Sequence, residues 1–433
     1  MVKWALTWHN VGMVSVPRMG RNQLLPRRAA ALVGEALADT RVVLVNGARQ
    51  GGKSTLVAGL ASQVGAEWFS LDRAATLQAA IQDPTSFVRQ APRMVIDEVQ
   101  RAPELFLAMK ELVDAQPTPG RFLLTGSARI LGLRGLPDTL PGRMETIELW
   151  PLSQGEIDGQ PDGLIQALFE HGPELRHSSS ETRAGYVHRI ARGGFPEAIR
   201  REPRRRRRFH SNYVADLINR DVMQLSTVER GHQLRGLVES LAGRSGQIVS
   251  AAGLARGLNI ATNTVQHYLS LLEEVYLIKR LPAWSRNLAT RATSKPKVAF
   301  VDSGLAASLL GQDEATLLRL DSPLGPLLEG FVAMETARQA SWLEHHVAIA
   351  HYRTRDQIEV DLVLENQRKV VAIEVKASAT VRSEDFRGLR QLASRLGSDF
   401  VVGVVLYLGQ ETLPFGERLR AMPLNALWEV SGS

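Results

Sequence analysis

The fold of this chain is decided by one stretch, Gly47-Ala48-Arg49-Gln50-Gly51-Gly52-Lys53-Ser54-Thr55. Residues 47–54 match the pattern G-x-x-x-x-G-K-[ST], which cradles phosphate groups when it joins a strand to a helix. The context fits, because the apolar run 41–45 predicts a buried strand and residues 53–63 predict a helix. Backbone N–H groups of such a loop point inward, and the helix N-terminus favours an anion. The stretch therefore predicts a binding site for ATP.

Two residues of this loop and two later acids have assigned roles. Lys53 is expected to reach the β- and γ-phosphates, and Ser54 to ligate Mg²⁺. About forty residues after the loop, the apolar strand 93–96 ends in Asp97 and Glu98. At such a strand end, Asp97 is expected to bind the magnesium shell through water and Glu98 to polarise the attacking water.

Hydrolysis of this kind usually requires an arginine near the γ-phosphate. Arg143 is the first candidate, and Arg129 and Arg49 are the alternatives. Ser127 follows the predicted strand 121–124, where a polar side chain either senses the γ-phosphate or caps a helix.

The order of predicted elements gives an α/β fold in several parts. Short apolar strands alternate with helices in the first third, which is typical of a parallel sheet covered on both faces. The signal then becomes helical and finally returns to mixed α/β. The predicted divisions are a disordered extension (1–21, with Met19 as an alternative start), a P-loop domain (22–151), a helical linker (152–235), a winged helix-turn-helix (236–320) and a last α/β domain (321–433).

The winged helix is predicted from the order of elements between residues 246 and 281. Helices are expected at 250–255 and 262–274, with a turn between them and a strand at 276–280. Residues 262–268 take the recognition position of a DNA-binding helix. The alternative is a lid or oligomerisation element, so a homo-oligomer is left open.

Composition narrows the function classes. The chain has no cysteine, which excludes disulfides, thiolate metal sites and cysteine nucleophiles and fits a cytoplasmic location. No apolar run approaches the roughly 20 residues that span a bilayer, so a membrane partner is not expected. The net charge is +7, and seven arginines lie close together in residues 200–208. These arginines are either a solvated helix face or a strip that contacts the phosphates of DNA or RNA.

Acidic residues near the C-terminus suggest a second site. Asp361 lies in a predicted strand, Glu374 and Lys376 lie on one face of the next, and Glu329 lies on the preceding predicted helix. Carboxylates and a lysine so placed hold a divalent cation and direct water at a phosphodiester. The set favours a nuclease-type fold, although an ordinary surface strand has the same pattern.

Together these motifs make the chain resemble prokaryotic AAA-type (AAA+/STAND-like) P-loop ATPases with a winged-helix segment and a C-terminal PD-(D/E)XK-like domain of unknown function. The resemblance covers residues 22–428. Beyond the loop, it depends on the strings IDEVQRAPELF (96–106), LTGS (124–127), LPGR (140–143), PLSQGE (151–156), GGFPE (193–197), DSGL (302–305), EVD (359–361) and EVK (374–376). It implies ATP binding and slow, regulated hydrolysis by residues 47–55, Asp97 and Glu98, and it supports Arg143 as a conditional hydrolysis residue.

Three hypotheses follow for the whole chain. The first is an Mg²⁺-dependent ATPase whose nucleotide state controls a nucleic-acid-binding or nuclease-like C-terminal module. The second is a metal-dependent nuclease for which the ATPase is an assembly platform. The third is a DNA-binding regulator without enzymatic activity.

Overall fold

A parallel sheet of five strands forms the first layer of the protein. The computed structural model describes residues 24–127, 140–222, 231–287 and 294–432; the predicted extension 1–21 and Met19 lie outside this part. The strands stand in the order β2-β3-β4-β1-β5, with every pair parallel. Their bounds are β1 (Val42–Gly47), β2 (Glu67–Ser70), β3 (Met94–Asp97), β4 (Phe122–Gly126) and β5 (Met144–Leu149).

Helices cover both faces of this sheet, as a parallel sheet requires. They are α1 (Ala29–Asp39), α2 (Lys53–Val64), α3 (Ala74–Gln82), α4 (Pro84–Phe87) and α5 (Leu105–Ala115). Side chains of β1 alternate between two cores: Val43 and Val45 pack with α1 and α2, and Val42 and Leu44 pack with α5. The predicted parallel α/β architecture of the first third is confirmed.

Strand β5 is an element that the sequence did not indicate. It pairs with β1 at the edge of the sheet. Glu145 and Glu148 interrupt its apolar residues, because one side of an edge strand meets solvent. This strand matters for the site, since its last residue, Leu149, lies against the start of the phosphate loop.

A helical region follows the sheet. Its helices are α6 (Gln154–Asp158), α7 (Leu164–His171), α8 (Arg183–Arg192), α9 (Pro196–Ile199) and α10 (Pro203–Asp216). Helix α6 begins at a capping box, in which the Ser153 side chain accepts from the Glu156 N–H while Glu156 accepts from the Ser153 N–H. A π-helical segment, Leu217–Val222, continues from α10.

The next elements have the predicted helix-turn-helix order. Helices α11 (Gly231–Ala242), α12 (Ala251–Leu258) and α13 (Thr262–Glu274) pack with a three-stranded antiparallel sheet in the order β6-β8-β7. The strands are β6 (Gln247–Ile248), β7 (Ile278–Leu281) and β8 (Lys297–Phe300). Ser250 caps α12, and Asn259 ends it in the left-handed conformation, so the turn begins two residues later than the predicted turn at 257–260.

The last part is a mixed sheet between helices. Its strands are β9 (Ala348–Arg353), β10 (Glu359–Asn366), β11 (Lys369–Lys376), β12 (Phe400–Tyr407), β13 (Leu413–Gly416) and β14 (Leu419–Pro423), in the order β13-β14-β12-β11-β10-β9. Pairs β11–β12 and β12–β14 are parallel and the others antiparallel. The accompanying helices are α14 (Ser303–Leu309), α15 (Glu314–Leu317), α16 (Leu324–Ser341), α17 (Arg387–Leu396) and α18 (Ala426–Glu429).

One hydrophobic core runs through all the parts beyond the first sheet. It includes Leu168 of α7, Leu272 of α13, Leu328 of α16 and Ile373 of β11. The boundaries predicted at residues 235 and 320 therefore separate groups of elements along the chain without separating their cores. Among the helices of the described ranges, none is long and apolar enough to cross a membrane.

Candidate nucleotide site

The phosphate loop connects β1 to α2 and requires glycine at two positions. At Gly47, φ is +153° and a Cβ would lie 2.1 Å from the carbonyl oxygen of Leu149. At Gly52, φ is +98°, a backbone conformation that L side chains rarely adopt. The close approach of β5 therefore fixes the start of the loop, and Gly52 lets it turn into the helix.

Lys53 lies across this loop. Its side chain is buried, and its ammonium donates to the carbonyl oxygens of Gly47 at 3.0 Å and Ala48 at 2.9 Å. It is the first residue of α2, so the cation and the positive end of the helix lie together. This is the electrostatic environment that a polyphosphate needs.

Ser54 and Asp97 are brought together as predicted. The hydroxyl of Ser54 donates to Oδ1 of Asp97 at 2.9 Å, although the two residues come from different elements, α2 and β3. Thr125 of β4 donates to the same oxygen at 2.6 Å and accepts from the N–H of Glu98 at 2.9 Å. Burial raises the pKa of Asp97, while the hydrogen bonds from Thr125 and Ser54 oppose that rise.

Glu98 is held beside this pair in the left-handed conformation, with φ of 60°. Its carboxylate accepts from the Ser127 hydroxyl at 2.9 Å and from the side-chain amide of Gln100. Ser127 therefore positions Glu98, a role that differs from both predicted roles, γ-phosphate sensing and helix capping. Gln100 and Thr125 were missed by the sequence analysis, because their contacts depend on how neighbouring strand ends meet.

The arginine predicted to act near the γ-phosphate lies elsewhere. Arg143 precedes β5 at the amino-terminal edge of the sheet, whereas the phosphate loop follows the carboxyl end of β1. Its guanidinium pairs with Asp114 of α5, at 3.0 Å between Nη2 and Oδ2. The expectation that Arg143 reaches the phosphates of its own chain is therefore wrong. Arg129 lies outside the described residues, and Arg49 lines a cavity of about 350 Å³ beside the loop.

A cleft of about 760 Å³ opens over the loop and the start of α2. At its polar side are Lys53, Ser54, Thr55 and Glu98. Most of the remaining wall is apolar and comes from Leu24, Leu25, Pro26, Leu56, Leu60, Leu152, Pro196 and Phe209. A cleft lined by a cation, hydroxyl groups and apolar side chains suits a nucleotide, whose base is flat and apolar.

Two arginines from the helical region also line this cleft. Arg200 and Arg201 follow α9, and Arg201 stacks on the ring of Phe209 at 4.8 Å and pairs with Glu197 at 3.2 Å. The sequence analysis counted both only as members of the arginine-rich stretch. The string GGFPE (193–197), just before these two arginines, was the sequence signal that could have pointed to them.

A third arginine fastens the loop from outside. Arg27 donates to the carbonyl oxygen of Gly51 at 2.8 Å and to that of Trp150, and it pairs with Glu156 at 3.1 Å. Its side chain is largely buried. No sequence motif marks Arg27, because it lies 20 positions before the first residue of the loop, Gly47.

The predicted second site is assembled around a cation that the sequence analysis did not consider. Asp361 of β10 and Glu329 of α16 both face the ammonium of Lys297 from β8, at 2.7 Å and 3.7 Å. Glu374 of β11 pairs with Lys376 at 2.9 Å. Burial, and after it the charge of Asp361, raise the pKa of Glu329 to about 7 and that of Glu374 to about 8.

Comparison with known proteins agrees with the nucleotide site. Residues 39–158 match the family model described as AAA domain. Residues 183–316 and 324–427 match two models described as domains of unknown function, DUF8612 and DUF4143. The AAA match supports a P-loop ATPase domain in the first third of the chain.

Similar full-length proteins are uncharacterized. The chain is 28% identical over 407 residues to uncharacterized protein Rv2008c of Mycobacterium tuberculosis and to Mb2031c of Mycobacterium bovis, covering 93% of this chain and 85% of each relative. An uncharacterized protein of Haemophilus influenzae is 22% identical over 297 residues, 63% of this chain and 70% of that one. The solved Walker-type ATPase PABY2304 of Pyrococcus abyssi aligns with a TM-score of 0.39 at 14% identity, over 68% of this chain and 98% of that one.

Proposed function

We propose that this chain binds ATP with Mg²⁺ and hydrolyses it, and that the nucleotide state controls the C-terminal part of the molecule. The observation that carries the proposal is the hydrogen bond of 2.9 Å between Ser54 and Asp97, beside the buried ammonium of Lys53. A hydroxyl and a carboxylate oxygen are hard ligands of the kind that magnesium prefers, so the two residues fit this ion. When bound, the ion neutralises charge on the β- and γ-phosphates.

The roles of the surrounding residues follow from their positions. Lys53 exchanges its bonds to loop carbonyls for bonds to phosphate oxygens, since both are acceptors at the loop mouth. Glu98 lies next to Asp97 and accepts a proton from, or orients, the attacking water. Arg200 and Arg201 replace Arg143 as candidates for stabilising charge on the γ-phosphate, because they line the cleft.

Hydrogen bonds join the loop to helix α6, and helix α6 to helix α16 of the C-terminal part, which supports the proposed switch. Arg27 joins Gly51 to Glu156 of α6. In the same helix the N–H of Gln154 donates to Glu335 of α16 at 3.0 Å.

Helix α16 is held to its surroundings by the same group of contacts. Glu335 pairs with Arg338 at 2.6 Å, and Arg338 also donates to the carbonyl oxygens of Pro151 at 2.9 Å and Val301 at 2.7 Å. A movement of the loop on nucleotide binding would therefore reach α16 through these contacts.

Nucleic acid remains a second proposed partner, favoured by three charges on α10. Within the described residues, Arg204, Arg205 and Arg208 are exposed and have no hydrogen-bond or ion-pair partner. Arg206 is instead buried against carbonyl oxygens, and Arg207 pairs with Asp313 at 3.3 Å. The strip that could contact nucleic-acid phosphates therefore has fewer arginines than the seven predicted. Removing three phosphate contacts would lower the salt slope of DNA affinity by about three.

The ATPase proposal is tested with two variants of the site. Lys53→Ala should lose binding of a fluorescent ATP analogue, because the cation at the loop mouth is gone. Glu98→Gln should keep that binding and lose ATP hydrolysis, because its polarising carboxylate is gone. Asp114→Asn, at the far edge of the sheet, is the matched control and should behave as wild type. Binding by Lys53→Ala equal to wild type would refute the loop assignment.

A further inference from the structure

Lys297 lies at the centre of the acidic cluster that the sequence analysis assigned to a divalent cation. Its side chain is 2% exposed, and its ammonium is 2.7 Å from Oδ1 of Asp361 and 2.9 Å from Oε1 of Glu359. Oε2 of Glu329 lies at 3.7 Å. Three carboxylates from α16 and β10 therefore surround one ammonium, which has three protons to donate.

The other carboxylate contacts of the cluster are also taken by protein groups. Oδ2 of Asp361 accepts from the N–H of Val375 at 2.9 Å. Oε1 of Glu374 accepts from the ammonium of Lys376 at 2.9 Å, and Oε2 of Glu359 lies 3.6 Å from Arg353. Of the oxygens that a nuclease would offer to a metal ion, both of Asp361, both of Glu359 and one of Glu374 therefore lie against cations or the backbone.

These residues do not fit a divalent cation. A magnesium or calcium ion needs at least six oxygen ligands at short distance, and the ammonium stands where such an ion would bind. Lys297 is anchored in β8 and its side chain is buried, so the ammonium is held inside the cluster. Across the described ranges, no group of three or more histidine, cysteine, aspartate or glutamate residues is arranged to hold a metal ion.

We propose that the Lys297 ammonium is the resident cation of this cluster, which makes the site a metal-independent joint between the three-stranded sheet and the C-terminal sheet with its helix α16. The joint links β8 to α16 and β10 through one buried charge. Burial opposes the charged form of Lys297, but Asp361, Glu329 and Glu359 outweigh it and raise its pKa. The inference is independent of ATP binding, because the phosphate loop contributes no residue to the cluster.

Packing around the cluster agrees with a fixed joint. A Cβ at Gly246, just before β6, would lie 2.6 Å from Cβ of Glu329, so α16 and the three-stranded sheet are in close contact. Backbone bonds also join the two sheets, since the N–H of His351 on β9 donates to the carbonyl oxygen of Pro282 at 2.9 Å.

The first test is a titration with Mn²⁺ followed by electron paramagnetic resonance, without nucleotide. All proteins carry Asp97→Asn, which weakens the magnesium position proposed at the phosphate loop and so lowers the background of Mn²⁺ binding there. The background protein and its Asp361→Asn and Glu359→Gln derivatives should bind Mn²⁺ identically, because the cluster offers no site. Binding that is lost or weakened tenfold in either derivative would overturn the proposal.

The second test is a double-mutant cycle of thermal stability with Lys297→Met and Asp361→Asn. Each single variant should lower Tm, because it leaves the other partner buried and unpaired. The double variant should lower Tm by clearly less than the sum of the two single losses. Additive losses would contradict the joint. Lys369→Met, an exposed lysine of β11 that contacts only the Ser398 carbonyl oxygen in the described chain, is the control and should leave Tm unchanged. If Lys297→Met fails to fold, the Mn²⁺ titration still decides.

Discussion

Arg27 holds the phosphate loop from outside, donating through Nη1 to the carbonyl oxygen of Gly51 at 2.8 Å. The same guanidinium pairs with Glu156, whose other oxygen takes part in the capping box of α6. A group that binds the loop and the capping box at once restricts how the loop can move. Arg27 also lines the cleft, so it contacts both the candidate nucleotide site and helix α6.

Replacing Arg27 with alanine should weaken ATP binding about tenfold, which corresponds to about 1.4 kcal/mol. The reason is that the loop loses a charge-assisted hydrogen bond that preorganises it. Isothermal titration with a non-hydrolysable ATP analogue measures the change. Arg28→Ala is the matched control, because its guanidinium contacts Gln160 and approaches Asp162 without touching the loop. Equal affinities of the two variants would contradict the role of Arg27.

Asp97→Asn should raise the Mg²⁺ concentration that ATP hydrolysis requires. An amide is a weaker ligand than a carboxylate, and the Ser54 hydroxyl would lose its charged acceptor. At low Mg²⁺ concentration the rate is expected to fall about 10- to 100-fold, with partial recovery at high Mg²⁺. The measurement is ATPase rate against Mg²⁺ concentration, with Asp114→Asn as control. An unchanged Mg²⁺ dependence would exclude Asp97 from the metal site.

Arg201 and Arg143 are predicted to differ in their effect on hydrolysis. Arg201→Ala should lower kcat about 100-fold or more, because Arg201 lines the cleft proposed to hold the phosphates. Arg143→Ala should leave kcat at the wild-type value at low protein concentration, since Arg143 pairs with Asp114 at the opposite edge of the sheet. Single-turnover ATPase measurements separate the two. A larger loss for Arg143→Ala would reverse the assignment.

Much of the nucleotide site could be predicted from sequence because its residues follow strands. Parallel strands end at one edge, so the loop after β1 and the acids after β3 must meet there, and Ser54 does contact Asp97. Arg27 and Arg201 could not be predicted in the same way. They reach the cleft from segments next to α1 and α9, whose positions depend on packing between distant parts of the chain.

The strands also divide into those that could be predicted from the sequence and those that could not. Buried strands such as β1, β3 and β4 have continuous apolar runs and were predicted, whereas β5 and β13 lie at sheet edges and carry charged or turn residues. The acidic cluster was predicted from three carboxylates and Lys376. Its central cation, Lys297, arrives from a strand more than sixty residues before Asp361, and no local pattern connects them.

Asp162 should make stability depend on pH near neutrality. Burial, then the charges of Glu335 and Glu156, raise its pKa to about 7, against the bonds from Ser153 and the charge of Arg28. A carboxyl with a higher pKa in the folded chain binds its proton more tightly there, so its ionisation destabilises the fold. The free energy of unfolding should therefore fall as pH rises from about 4 to about 7, by at most about 1.4 kcal/mol per pH unit from this group.

The matched variant for this prediction is Asp162→Asn, which keeps the shape and tolerates the local φ of 56°. Urea unfolding at several pH values should show a shallower fall in stability than wild type over that window. An identical pH dependence would mean that Asp162 stays in one protonation state.

Gly246→Ala should destabilise the protein by about 1–3 kcal/mol, because the added methyl group meets backbone and is placed at a positive φ. At this position φ is +84° and a Cβ would lie 2.6 Å from both the Glu329 Cβ and the Gly330 nitrogen, neither of which can move without shifting α16.

Gly257→Ala is the control within the same group of elements. It lies in α12 with nothing within 4 Å of its Cβ position, so alanine should raise stability by up to about 1 kcal/mol through helix propensity. Thermal or urea unfolding measures both changes. If Gly246→Ala matched or exceeded the stability of Gly257→Ala, the close contact between the three-stranded sheet and α16 would be absent in solution, and the joint at Lys297 would lose its support.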